Sequence, residues 1–188
     1  PTPVATASPT HSATHTGTPE PTATSPTRTP RVTPSPRATP RSASLDGAAI
    51  DPGGVGPIRI GMPLSEAQAN GWVAMNEQCP RWDASPELLA RGLSFTFVDD
   101  RLYEIWVRGF EFATEDHIRV SDTLRKAKQV YGSRLQTEMR DGGGGRLPAW
   151  FIVEGEHELL FLEQDPGRDQ TIKAILARTH GTPVVEGC

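Results

Sequence analysis

The side chains best suited to chemistry are acidic residues and histidines in the second half of the sequence. Residues of these types act as metal ligands or as general acids and bases, and the group comprises Asp116, His117, Glu154, Glu156, His157, Glu158 and His180. No two histidines of this group have the i, i+4 spacing of a helical metal site or the spacing of a zinc finger. Four of the residues, 154 and 156–158, lie at or beside a predicted hairpin turn, where charged side chains are usually solvated. We therefore predict no metal site and no catalytic residue.

The glycine-rich segment 141–146, DGGGGR, is the other candidate for chemistry, as a phosphate-binding loop. Such a loop follows a strand and begins a helix, whose N-terminus faces the anion. The pattern here predicts a helix before the glycines and a strand after them, so we interpret the segment as a flexible connector. The sequence also has no Gly-x-Ser-x-Gly or Ser-x-x-Lys motif. We predict a protein that is not an enzyme and needs no cofactor.

The two cysteines, Cys79 and Cys188, are 109 positions apart. This spacing matches neither a metal site nor a Cys-x-x-Cys redox pair, and no neighbouring base marks a nucleophile. In an exported protein a disulfide is the better interpretation, and it would tie the C-terminus to the first half of the chain.

Residues 1–46 differ sharply in composition from the rest of the chain. They contain 10 Pro, 12 Thr and 6 Ser and no aromatic residue, so they cannot bury enough apolar surface to offset the entropy of ordering. The mixture is typical of O-glycosylated stalks and wall-spanning linkers. We predict a disordered spacer, with a phosphorylated or partner-binding tail as the alternative.

The charge and the start of the chain indicate an exported protein. Four Arg, one Glu and one Asp leave residues 1–46 at +2, so the net charge of −4 puts residues 47–188 at −6. An acidic domain argues against nucleic acid as a partner. A Pro/Thr-rich start is typical of the region directly after a removed signal peptide, a lipidated N-terminus or a membrane anchor. We expect an extracellular or cell-surface location, with a membrane tether before residue 1 as one form of it.

Two segments 60 residues apart repeat one pattern of apolar residues. Ile58, Ile60, Leu64 and Ala67 recur as Ile118, Val120, Leu124 and Ala127. Each copy predicts an extended lead-in followed by a short amphipathic helix. In the second copy Ser121 or Asp122 is expected to cap the helix and Gly132 to end it. A further helical turn is predicted at SPELLARG, residues 85–92.

Alternating apolar runs predict strands at about 93–98, 102–109, 149–154, 158–163 and 171–178. With the helices they form two helix-then-hairpin units, at about 57–110 and 117–187. We predict an α+β fold in which the helices cover one face of an antiparallel sheet, as one domain over residues 47–188.

Strand alternation divides the aromatic residues between two faces. It places Phe151 and Val153 inward, and it leaves Trp106 and Trp150 outward. An open sheet face with aromatic anchors among charges is typical of a recognition surface, although such rings also cover thin cores. The predicted partner-binding residues are Leu102, Trp106, Arg108, Trp150 and Ile152.

The segments IRIGMPLSEA (58–67), IRVSDTLRKAKQVYG (118–132) and VEGC (185–188) resemble those of actinobacterial secreted proteins and envelope lipoproteins of unknown function. A short helix followed by a hairpin, given twice, also resembles β-lactamase inhibitor proteins and outer-membrane assembly lipoproteins of the SmpA/OmlA type. The resemblance implies a two-layer fold. The inhibitors bind through an aromatic-rich sheet and a hairpin loop that bears an Asp, and Asp99 and Asp100 occupy a hairpin turn here.

The sequence thus predicts a non-catalytic envelope or secreted module that binds an unidentified protein through its open sheet face. Two alternatives remain at this point. One is an extracytoplasmic sensor or structural segment of a membrane protein, and the other is a proteinaceous inhibitor of a secreted hydrolase.

Overall fold

The computed structural model describes residues 44–77, 81–142, 145–163 and 170–183. Half of the structure is strand and 18% is helix, and the sheets are mostly antiparallel. The fold is therefore mainly β rather than the α+β class predicted from the sequence. The reason is that the three helices are short and that several short strands carry no clear alternation. The predicted spacer lies almost wholly outside the described residues, and the single domain over 47–188 stays a prediction.

The elements follow one another in this order along the chain. The helices are α1 (Leu64–Ala69), α2 (Pro86–Ala90) and α3 (Leu124–Tyr131), and a 3-10 turn (Gly132–Arg134) follows the last. The strands are β1 (Ala49–Asp51), β2 (Gly54–Val55), β3 (Ile58–Arg59), β4 (Val73–Asn76), β5 (Arg81–Ala84), β6 (Leu93–Val98), β7 (Arg101–Val107), β8 (Ala113–Thr114), β9 (Gln136–Gly142), β10 (Gly145–Glu154), β11 (His157–Glu163) and β12 (Ile172–Thr179).

The largest sheet has six antiparallel strands in the order β6-β7-β12-β11-β10-β9. The five strands predicted from alternation, β6, β7, β10, β11 and β12, all lie in it. Strand β9 was not predicted. The glycine-rich segment therefore follows a strand, and it joins β9 to β10 with Gly142 opposite Gly145. The prediction that these glycines follow a helix is wrong, and residues 143–144 lie outside the described part of the chain.

Two smaller sheets are formed by β1 to β5, which precede the central sheet in the sequence, and by β8, which lies between β7 and β9. The first has the order β3-β2-β1-β8, with β1 and β8 parallel, and the second is the hairpin β4-β5. Strand β5 also approaches β6 through a side chain, because the Asp83 carboxylate accepts the backbone N–H of Phe95 at 2.7 Å.

The helices form where capping and spacing predicted them, but the N-cap residue of α3 differs from the prediction. Thr123 caps α3, because its hydroxyl accepts the N–H of Lys126 at 3.2 Å; the predicted caps Ser121 and Asp122 do not. Gly132 ends the helix with a φ of 54°, which favours glycine. The apolar stripe of α3 is buried, and the Tyr131 ring lies 5.5 Å from that of Phe161 on β11.

Each helix with the predicted lead-in, α1 or α3, is joined to a strand by the same set of backbone hydrogen bonds. Near α1, residues 61, 62 and 64 bond to residues 100 and 102 at the start of β7, at 2.7 to 2.9 Å. Near α3, residues 121, 122 and 124 bond in the same pattern to residues 170 and 172 at the start of β12, also at 2.7 to 2.9 Å. The six bonds are Gly61 N to Leu102 O, Leu102 N to Met62 O, Leu64 N to Asp100 O, Ser121 N to Ile172 O, Ile172 N to Asp122 O and Leu124 N to Gln170 O.

Both faces of the central sheet are apolar. One face, which we call the core face, packs into the main core with the apolar stripe of α3. The other, the outer face, carries a second buried cluster made of Ala149, Phe151, Leu160 and Leu176, with Trp106 packed against it.

Candidate functional site

The five predicted partner-binding residues do not form one surface. Leu102 and Ile152 are core residues, 1% and 4% exposed. Trp106 packs on the outer face, while Trp150 packs against the main core on the opposite face. The prediction of a shared open sheet surface is therefore wrong, and only Trp106 and Arg108 remain together, with the guanidinium 4.7 Å above the indole.

Two features of the sheet explain this error. A β-bulge between Thr96 and Phe97 places two residues of β7, 103 and 104, against one on β6, so the alternation resets and Leu102 turns to the same face as Ile105. On β10 both alternate sets are apolar because both faces are buried, and alternation alone does not tell which set faces the core.

Charged side chains are buried beside the outer-face cluster, two residues further along the same strands. Glu104, Arg178 and Glu158 lie side by side on β7, β12 and β11, and each is at most 1% exposed. Arg178 donates from Nε to Glu158 at 2.7 Å, and its Nη1 lies 3.6 Å from Glu104 Oε1. The single cation is thus held between two carboxylates.

Glu158 is the centre of this network, contrary to the prediction that it is solvated. Besides Arg178, it accepts two hydrogen bonds from Arg140 at 2.6 and 2.8 Å and contacts His180 Nδ1 at 2.8 Å. Burial works against its charge, but the hydrogen bonds from Arg140, His180 and Arg178 outweigh burial and lower the pKa of Glu158 to about 2. A carboxylate with this pKa and these partners stays ionised and does not exchange protons near neutral pH, so the network is suited to holding strands together. The sequence signal for it was Arg178, a charge that directly follows the apolar run 174–177 of β12.

The contact between Arg140 and Glu158 shows that the β9-β10 hairpin curls over the outer face. Arg140 pairs with Leu147, whereas Glu158 pairs with Val153. Six residues of a flat strand separate Leu147 from Val153, which is about 20 Å. That distance exceeds what the two side chains can span, so the hairpin must bend towards the sheet. The Arg140 guanidinium then lies 4.5 Å above the Phe151 ring and covers it.

The other titratable candidates are dispersed. Asp116 pairs with Arg134 at 3.0 Å on the surface, and His117 lies in the adjoining turn with a φ of 61°. Across the described residues, no group of three or more His, Cys, Asp or Glu side chains is placed to hold a metal ion.

A pocket of about 380 Å³ opens beside the turn between β6 and β7. Two of the residues that line it are aromatic, two are acidic and one is basic; the lining residues are Leu64, Arg81, Trp82, Thr96, Phe97, Asp99 and Asp100. Asp99 and Asp100 have φ values of 49° and 57°, the paired left-handed conformation of a tight two-residue hairpin turn. We call this cavity the hairpin pocket.

The wall that carries Trp82 is fixed by its neighbour Asp83. The Asp83 carboxylate is buried and accepts the N–H of Phe95 on β6 at 2.7 Å, and its other oxygen lies 3.9 Å from Arg81 Nη2. The pocket was not predicted from the sequence because RWDA is too short to show an alternation, so neither β5 nor the side of the chain on which Trp82 lies could be assigned.

The ring of Trp150 is covered by a charged side chain. Lys128 of α3 places its ammonium 3.8 Å from the centroid of the Trp150 ring. Glu163 lies in the same cluster. Burial raises the pKa of its carboxyl, while the indole N–H of Trp150 and the charge of Lys128 oppose that rise. The Lys128 ammonium, on the last turn of α3, thus covers the face of the Trp150 indole.

Cys79 and Cys188 both lie outside the described residues, so the disulfide between them stays a prediction. No helix in the described part of the chain is long and apolar enough to cross a bilayer.

A scan against protein-family models, a search of curated proteins and a search of solved structures gave no match. The resemblances drawn from the sequence therefore stay predictions.

Proposed function

We propose that this chain is a non-catalytic, exported binding module that holds a protein partner at the hairpin pocket. The observation that carries the proposal is the pocket itself, which combines two aromatic walls with charged residues in a concave site. Aromatic side chains with a few placed polar groups are typical of recognition sites. The acidic turn at Asp99 and Asp100 agrees with the net charge of −6 on residues 47–188 and favours a basic contact on the partner.

Export is the second part of the proposal, and it rests on the sequence. The Pro/Thr-rich residues 1–46 have the composition of a spacer that holds a binding domain away from a cell surface. The charged groups of the buried network around Glu158 are paired with one another, and we assign that network a structural role.

We further infer that the two halves are copies of one structural unit, with helices on one side of a shared sheet. The hydrogen bonds of α1 to β7 and of α3 to β12 support this, as do the bulges, which fall at Thr96/Phe97 and at Leu162/Glu163. Strand β7 then corresponds to β12, and β6 to β11. The sequence pattern alone had instead matched the hairpin β6-β7 with β10-β11.

The correspondence extends to the preceding hairpins. Strands β4-β5 correspond to β9-β10, because Trp82 and Trp150 both follow a Pro-x step and both precede a buried core residue, Ala84 or Ile152. The β7-β12 pairing also fits a twofold relation, since Ile105 faces Ala177 and Val107 faces Ile175, with Trp106 opposite Leu176 between them. The repeated unit is then one helix followed by four strands, and α2 is an addition between β5 and β6 in the first half.

The test of the binding site is a comparison of two aromatic truncations. Partners are captured by cross-linking on intact cells, identified, and then titrated in purified form. Trp82→Ala is expected to weaken binding by about 30-fold, as the loss of an aromatic anchor worth about 2 kcal/mol or more.

The matched control is Phe110→Ala, which removes an aromatic ring that is 67% exposed and does not line the pocket. It is expected to bind as the wild type does. Full affinity in Trp82→Ala, with unchanged thermal unfolding, would discard the pocket as the binding site.

A further inference from the structure

The counterpart of the hairpin pocket in the second half is occupied by a side chain of the protein itself. Under the correspondence above, Trp82 matches Trp150 and Phe97 matches Glu163. Leu64 and Ala67 of α1 match Leu124 and Ala127 of α3, so Gln68 matches Lys128. It is Lys128 whose ammonium lies 3.8 Å from the Trp150 ring centroid.

This occupied site indicates which chemical group the tryptophan cleft accepts. An ammonium over the face of an indole is attracted by the negative face of the ring, and a nearby carboxylate adds to the attraction. Trp150 lies beneath the Lys128 ammonium, whose charge also opposes the rise in the pKa of the Glu163 carboxyl.

The first half keeps the tryptophan and the negative charge but has no lysine at this position of the helix. Gln68 is uncharged and exposed. The acidic residues here are Asp99 and Asp100 of the turn, which line the hairpin pocket, in place of Glu163. Arg81 also lines the pocket, and its guanidinium lies 3.9 Å from the Asp83 carboxylate.

We propose that the hairpin pocket takes a lysine side chain presented by the protein partner. The ammonium lies over Trp82 within reach of Asp99 and Asp100, and the methylene stem packs against Phe97 and Leu64. The proposal rests on the proposed function and specifies the chemistry of the group that the pocket recognises.

The direct test uses a short peptide as the probe. The full chain is titrated with acetyl-Gly-Lys-Gly-amide while the indole N–H signal of Trp82, assigned from Trp82→Phe, is followed by NMR. The matched probe is the same peptide with an Nε-acetylated lysine, which keeps the stem and removes the charge. The expected result is a saturable shift at Trp82 that is weakened roughly tenfold by acetylation. Equal shifts from both peptides, or no shift at Trp82 from either, would overturn the proposal.

A second test introduces into the first half a lysine equivalent to Lys128, so that the protein's own side chain fills the hairpin pocket. Gln68→Lys places a lysine on α1 at the position of Lys128 and is expected to block both the peptide and the protein partner. Ser65→Lys adds the same charge to an exposed position of the same helix and is expected to leave both unaffected. Both substitutions keep helix propensity, so thermal unfolding serves as the check on the fold.

The outcomes separate this proposal from the one on which it rests. Loss of partner binding in Trp82→Ala, with wild-type binding in Gln68→Lys, would keep the pocket as the binding site and reject lysine as its ligand. Full partner binding in both variants would reject the pocket itself. Loss in Trp82→Ala and Gln68→Lys, with retention in Ser65→Lys, supports both proposals.

Discussion

At the scale of single residues, the fold depends on how a few charges are neutralised inside it. Arg178 is 1% exposed on the sheet, and a buried cation is tolerated only where carboxylates and hydrogen bonds replace its hydration. Glu104 and Glu158 do so from the two adjacent strands. Glu158 also accepts from Arg140, so one carboxylate connects three separate parts of the sheet.

Glu158→Gln is expected to destabilise the protein by about 3 to 5 kcal/mol, because it leaves Arg178 buried with one carboxylate fewer. Urea unfolding measures the effect. Glu156→Gln is the matched control, since Glu156 is an exposed glutamate of the same hairpin, and its cost should stay within about 0.5 kcal/mol.

The same carboxylate predicts an acid-labile fold. The pKa of Glu158 is lowered from its ordinary value of 4.5 to about 2 in the folded protein, so its contribution is complete above pH 4.5 and is lost as the pH falls towards 2. The shift corresponds to about 3 kcal/mol. The free energy of unfolding should fall over this range more steeply in the wild type than in Glu158→Gln. Parallel curves would show that Glu158 is not the group responsible.

At the scale of elements, Arg140 ties the β9-β10 hairpin to the outer face. Among the described residues, β9 is the last strand of the sheet and pairs with β10 alone. Its curl brings Arg140 to Glu158 and over Phe151. A long edge hairpin without such a contact opens readily, because its backbone bonds are exposed.

Arg140→Ala is therefore expected to release the hairpin. Two charge-assisted hydrogen bonds are lost, and amide exchange in β9 should become roughly 10 to 100 times faster, while β12 changes less. Arg134→Ala is the control, because it removes an exposed arginine that pairs at 3.0 Å with Asp116. Unchanged amide exchange in β9 after Arg140→Ala would show that Arg140 does not hold the hairpin against the outer face.

At the scale of the whole molecule, stability comes from joining distant parts of the chain. The main core contains residues from Leu45 to Ala177, and β7 meets β12 in the middle of the six-stranded sheet. A two-stranded hairpin alone is marginal in water, so β6 and β7 depend on the pairing of β7 with β12.

The predicted disulfide acts at this scale. We propose that Cys79 and Cys188 are bonded in the exported protein, which closes a loop of about 110 residues and adds up to roughly 4 to 5 kcal/mol in the chain-entropy model. Intact mass under non-reducing conditions should be two hydrogens lower than after reduction, and thiol labelling should be negative. Two labelled thiols in the exported protein would exclude the bond.

The sequence by itself determined the local elements. Helices α1, α2 and α3 and the strands β6, β7, β10, β11 and β12 follow from helical spacing, from alternation and from residues such as Pro86, Gly132 and Asp99-Asp100, whose backbone preferences act over a few neighbours. These signals depend on contacts within one turn or one hairpin, so they can be read without the fold.

The tertiary structure alone decided which face each side chain occupies and which charges meet. A bulge moved Leu102 into the core, the burial of both faces of the sheet removed the distinction between Phe151 and Ile152, and Glu158 gained partners from β9 and β12. The hairpin pocket likewise joins residues of α1, β5 and β6 that no local pattern connects. The physical reason is that burial and ion pairing depend on contacts between residues far apart in the chain, which alternation and spacing do not encode.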